Sequence, residues 1–183
     1  MIDDVDQLSK LENREYKFDF MLCNAGEITD RLIKDSASII ASAGFTVSFD
    51  CDMDVLHQYS IIADYDRIYQ VLSNLVSNAI KYSTDDKTLT ITFDIDKAKE
   101  NYIVSVTDHG IGIKDEHIPF VFDTFYRENC TTDNSLPQVE GRGLGLTLCK
   151  EIVHSYNGEI YVKSACKRGS TFTFIIPLYN EED

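Results

Sequence analysis

Fourteen residues, Gln70–Ser83 (QVLSNLVSNAIKYS), constrain this chain more than any other stretch. At about 100° per residue, Ile68, Leu72, Leu75, Val76 and Ala79 form one apolar stripe, the signature of a helix laid on a core. Gln70, Asn74, Asn78 and Lys81 form a second stripe, roughly 130° away. Two carboxamides one turn apart and a cation three residues later thus project from one side. A carboxamide oxygen is a hard neutral ligand for a cation such as Mg²⁺, and a lysine ammonium is a point charge suited to phosphate. The stripe accommodates an anionic, metal-bound ligand. It also accommodates solvent, because mid-helix asparagine is commonly just hydrated.

The flanks place this helix in an α/β pattern. Asp64 is a suitable N-cap for it. Residues 1–13 space Ile2, Val5, Leu8 and Leu11 as a short helix, expected to be the end of a longer one, and Glu12–Asp19 reads as a polar linker. Asn24–Ala43 repeats Ile28, Leu32, Ile39 and Ile40 on one side and stops at Gly44. Alternation then marks strands at Phe45–Phe49, Tyr59–Ala63, Leu89–Ile95, Tyr102–Thr107, Glu159–Ser164 and Ser170–Pro177. GRGLGL, Gly141 to Leu146, runs into another helix through Leu148, Ile152, Val153 and Tyr156, ended by Asn157-Gly158. The expected fold is an α/β two-layer sandwich, a mixed β-sheet with three helices packed on one face.

At 183 residues there is material for one good core. No apolar run approaches the roughly 20 residues of a membrane span. A net charge of −14 argues against nucleic acid and requires that any bound nucleotide be met by local cations and a metal. The five cysteines show no paired spacing, and reduced thiols are expected. His57, His109, His117 and His154 lack ligand spacing and read as structural or exposed.

Two glycine clusters remain. In DHGIGI, Asp108 precedes Gly110 and Gly112 at a strand end, where missing Cβ atoms let a flat ring approach and the carboxylate can accept from an exocyclic amine. An ordinary turn would read the same. In GRGLGL, Gly141, Gly143 and Gly145 open a helix, whose free N–H groups attract phosphate. The spacing and context do not match a dinucleotide-binding fingerprint.

In order, the chain carries the asparagine helix, the Asp108 glycine turn, FDTFYR (Phe122–Arg127), GRGLGL and a terminal GSTFTF strand. This succession resembles the ATP-binding catalytic domain of sensor histidine kinases, over roughly Asp19 to Leu178. The resemblance implies a Bergerat-type fold shared with Hsp90-type and gyrase-type ATPases. It also implies a division into residues 1–18, the end of a dimerisation and phosphoacceptor helix with its linker, and residues 19–183, the catalytic domain. Asn78 matches the Mg²⁺-binding asparagine, with Asn74 supporting the metal. Lys81 and Arg127 match phosphate contacts, Tyr82 an aromatic packed on adenine, and Asp108 the acceptor of its amine. Gly110 and Gly112, with Ile113, match the ring-approach turn. Gly141, Gly143, Leu144, Gly145 and Leu146 match the hinge over the triphosphate, with 128–140 as its lid. Arg142, where a small hydroxyl residue is commoner, is a further phosphate contact or a solvated cation. Ser170 or Thr171 supplies a hydroxyl near the base.

The implied activity is transfer of the γ-phosphoryl group of Mg-ATP to a histidine on a separate phosphoacceptor domain. The acceptor motif H-E/D-x-R-x-P surrounds none of the four histidines here. Water-cleaving relatives carry a general-base glutamate where this chain has Asn74, so rapid hydrolysis is not expected. Implied partners are that acceptor domain and, through it, a response regulator. The chain itself is expected to be a monomer, and the full-length protein a homodimer anchored in the cell membrane with this domain in the cytoplasm. The alternatives are an anti-sigma-type serine kinase and a nucleotide-sensing pseudokinase.

Overall fold

A computed structural model describes residues 3–13, 15–98, 100–126 and 143–180. Five strands form the main sheet: β2 (Thr46–Cys51), β4 (Thr88–Asp96), β5 (Asn101–Asp108), β6 (Glu159–Ser164) and β7 (Ser170–Pro177), in the order β2-β4-β5-β7-β6. The β2–β4 pair is parallel and the others are antiparallel. Helices α2 (Ala25–Ser42), α4 (Tyr65–Tyr82) and α5 (Gly145–Ser155) pack on one face of it. The expected two-layer mixed sandwich is therefore the observed one. Two short elements escaped the sequence reading, β1 (Met21–Asn24), which pairs with β3 (Ser60–Ala63), and the single-turn helix α3 (Met53–Leu56).

Alternation decides what each strand buries. Ile95, Tyr102 and Ile176 form one inward row across β4, β5 and β7, followed by Phe93–Val104–Phe174 and Ile91–Val106–Phe172. The fourth row is Leu89–Asp108–Ser170, so the apolar face ends in a carboxylate and a hydroxyl. Against these rows α4 buries Ile68, Val71, Leu72, Leu75, Val76 and Ala79. Leu75 is fully buried, and its truncation to alanine would cost about 2–5 kcal/mol in transfer and cavity terms. Asp64 caps α4 as expected, accepting from Arg67 N at 3.3 Å.

Four expectations need correction. Ile39 is 46% exposed, and Thr29 and Ser36 take its expected place on the buried side of α2. The phenylalanines after His117 do not cluster: Phe122 meets Phe172 edge-on at 6.3 Å, while Phe120 and Phe125 are exposed. The stretch read as a polar linker, Glu12–Asp19, carries Tyr16 and Phe18; Tyr16 packs on Phe18, and Phe18 with the following Phe20 packs on Tyr156, at ring separations of 4.9–5.9 Å. Ahead of it, α1 (Asp3–Glu12) buries Leu8 and Leu11. Gln7 and Gln70 exchange amide hydrogen bonds of 3.0 and 2.9 Å, so Gln70 serves helix docking rather than a ligand.

Candidate functional site

The polar fourth row opens into a concave cleft. Its wall combines α4 (Asn78, Tyr82), the end of β5 (Asp108), the following turn (Ile111, Gly112, Ile113), the 117–126 segment (His117, Val121, Tyr126), the start of α5 (Leu146) and β7 (Ser170, Phe172).

Asp108 is 4% exposed. Its Oδ1 accepts from Gly110 N at 2.8 Å and Ser170 N at 3.3 Å, and Oδ2 takes no bond from the described residues. Burial raises the carboxyl above the usual range, against the opposing pull of those two N–H groups and of His109. The result is an oriented acceptor at the floor of the cleft.

Gly110 and Gly112 have a role the sequence reading did not assign. A Cβ on Gly110 would lie 2.1 Å from the Tyr82 carbonyl oxygen, which also accepts Ile111 N at 3.1 Å. The last turn of α4 thus rests directly on the turn after β5, satisfying an end carbonyl of the helix. A Cβ on Gly112, at φ +66°, would lie 2.0 Å from Ala165 O. These glycines permit close backbone packing; Gly112 also lines the cleft, and Gly110 lies behind it.

The other end is built differently. Gly143, at φ +72°, accepts Phe125 N on its carbonyl at 3.1 Å. Leu144 is buried and precedes α5 without giving it a side-chain cap, so the first N–H groups of α5 receive no capping side chain. A Cβ on Gly145 would meet only the Asn74 carboxamide, at 3.8 Å. Asn74 therefore faces the start of α5 from α4; nearby, the buried Cys149 thiol points to Val71 O at 3.8 Å, and burial pushes its pKa up to about 12.

The structure thus brings Asn78, Tyr82, Asp108, Gly112, Ile113, Leu146 and Ser170 into one wall, with Asn74, Gly143 and Gly145 at its α5 end. Lys81 is exposed in the last turn of α4 and is not part of the lining. Thr171 faces the opposite side of the sheet and bonds Thr107 across the strands at 3.0 Å. Arg127, Gly141, Arg142 and the 128–140 stretch lie outside the described residues. His117, read as structural or exposed, lies along the cleft, where its Nδ1 pairs with the Tyr126 hydroxyl. Ile111, Val121, Tyr126 and Phe172 were also missed. Phe172 was legible, because it shares strand parity with Ser170.

Residues 63–180 match the model of the histidine kinase-, DNA gyrase B- and HSP90-like ATPases, and the chain belongs to that family. Its relatives there are sensor histidine kinases. It is 34% identical to the sensor histidine kinase WalK of Bacillus subtilis (strain 168) over 187 residues, covering 100% of this chain and 29% of the relative. Among solved structures, the catalytic domain of the histidine kinase ThkA superposes with a TM-score of 0.67 at 27% identity, over 87% of this chain and 96% of that one. Full-length ShkA, crystallised with AMPPNP, gives a TM-score of 0.77 at 19% identity, over 98% of this chain and 35% of that one. The ShkA likeness concerns the fold alone. The chain spans less than a third of WalK's length.

Proposed function

We propose that this chain binds Mg-ATP and presents the γ-phosphoryl group to a histidine on an upstream phosphoacceptor domain. The observation that carries the reading is the cleft itself: the asparagine helix, the Asp108 turn and the start of α5 share one wall. Asp108 Oδ2 accepts the adenine amine, Tyr82 and the apolar wall hold the ring, and the uncapped start of α5 receives phosphate.

The donor set suits magnesium that arrives with a triphosphate. Among the described residues no three His, Cys, Asp or Glu side chains converge on a metal site; what these residues offer at the cleft is a neutral carboxamide, Asn78, with Asn74 in support. Held there, the ion would neutralise charge on the transferring phosphoryl group. The chain's own part is to orient the nucleotide. Asp108 is the sole carboxylate among the described lining residues, and it stands at the base-binding end. Asn74 cannot accept a proton where a hydrolase places its glutamate.

Labelled ATP incubated with this chain and the matching upstream domain tests the reading. Acid-labile, alkali-stable label on the acceptor is expected, with slow release of free phosphate. Rapid hydrolysis by the chain alone, or label on serine, overturns it. Asn78→Ala should abolish transfer while leaving the fold intact.

A further inference from the structure

Behind Ser170 stands a second hydroxyl, Ser164, at the end of β6. Its Oγ lies 2.8 Å from Gly169 O, accepts Ile113 N at 2.8 Å, and lies 2.9 Å from Ser170 Oγ. A serine hydroxyl has one proton and two lone pairs. Gly169 O can only accept, and its other described partner is Ala165 N at a long 3.4 Å. One assignment makes all three contacts bonds: Ser164 donates to Gly169 O and accepts from both Ile113 N and the Ser170 hydroxyl. The reverse direction would set two oxygens face to face at 2.8 Å with no hydrogen between them.

Ser170 therefore spends its proton on Ser164 and turns only lone pairs toward the cleft it lines. Beside it, on the paired residue of β5, Asp108 offers its unbonded Oδ2. Two adjacent acceptors match an amino group with two N–H donors and oppose a carbonyl oxygen. We infer that Ser164 is a specificity-determining positioning residue: by orienting the Ser170 proton it makes the cleft select a base with an exocyclic amine and reject its 6-oxo counterpart. This rests on the nucleotide reading above, which assigns the base to the Asp108 end.

The test compares binding of ATP, purine riboside triphosphate (hydrogen at C6) and inosine triphosphate, each with magnesium, by calorimetry on the full chain. The wild type should follow that order, with about 100-fold between the first and last, because two bonds are exchanged for two opposed acceptors. Ser164→Ala frees the Ser170 proton to donate, so the ATP-to-inosine-triphosphate ratio should shrink about tenfold, the equivalent of one buried hydrogen bond. Ser164→Thr should restore the wild-type ratio. If thermal melts show Ser164→Ala unfolded, Ser164→Cys keeps the shape with a weak hydrogen-bonding group and should narrow the ratio in the same direction. Equal weakening of all three ligands would mean that Ser164 merely props Ile113, and would overturn the assignment, as would an unchanged ratio. A wild type that binds none of the three overturns the nucleotide reading and this inference with it. A wild type that binds ATP and inosine triphosphate equally overturns this inference alone.

Discussion

The two glycine clusters look alike in sequence and do opposite work. At the Asp108 end, Gly110 and Gly112 are wedged against carbonyl oxygens, at 2.1 and 2.0 Å from where a Cβ would stand. At the α5 end, the nearest group to a Gly145 Cβ is a carboxamide at 3.8 Å, ordinary contact distance. The first cluster lets three backbone segments meet and so builds the floor of the cleft. At the second, Gly145 leaves room around an uncapped helix start, where a flat or charged ligand can approach. Gly143 belongs partly to each, with φ +72° and a Cβ position 2.8 Å from Tyr126 O.

The contrast is open to direct challenge. Gly110→Ala should have the largest effect, about 3 kcal/mol of lost stability and no nucleotide binding, because the obstructing atom is backbone. Denaturant unfolding measures it, and a loss under 1 kcal/mol would show that the wedge yields. Next comes Asp108→Asn. Its amide oxygen can keep both backbone N–H bonds, leaving an N–H₂ group facing the base amine. ATP affinity should fall about 100-fold with the fold retained, as expected for losing a hydrogen bond to a charged acceptor. Retained affinity in calorimetry would remove Asp108 from the base site.

The pH dependence sharpens the same point. Burial raises the folded-state pKa of Asp108. An acid raised on folding contributes stability that is present below its unfolded pKa and lost as pH rises through its folded one. Asp108→Asn should therefore gain on the wild type at neutral pH, with the gap closing as pH falls through the raised value. A gap that widens on acidification would contradict the burial. The smallest effect is expected at Gly145→Ala. It should leave stability unchanged or raise it by about 0.5–1 kcal/mol, since alanine favours the helix and the space is open. A marked loss of stability in thermal melts would show that the two clusters are not different after all.

Much of this site was legible because period and parity carry far. The α4 stripes placed Asn74 and Asn78 on one side, and alternation along β5 and β7 put Asp108 and Ser170 on the face of Phe172 and Phe174. The same parity sends Thr171 to the other face, a signal the sequence reading left unused when it kept both hydroxyls. Gln70 misled because a polar stripe does not say which of its members faces a neighbouring helix, and only the docking of α1 consumes its amide. His117 had no periodic partner to reveal it, since it enters the wall through an irregular segment. Tyr16 and Phe18 read as part of a linker because Tyr156, on which Phe18 and Phe20 pack, lies far along the chain.

Local order sufficed for most elements, their order and the polar residues gathered at the cleft, since spacing along a helix or strand alone sets which side chains share a face. Long-range approach decided the rest: that Gly110 seats the end of α4, that Ser164 claims the proton of Ser170, and that Asn74 lies against the start of α5. The first and the last depend on atoms distant in sequence arriving within 4 Å, and the Ser164–Ser170 pair on the register of the β6–β7 hairpin; packing and pairing, rather than any periodicity, bring them there.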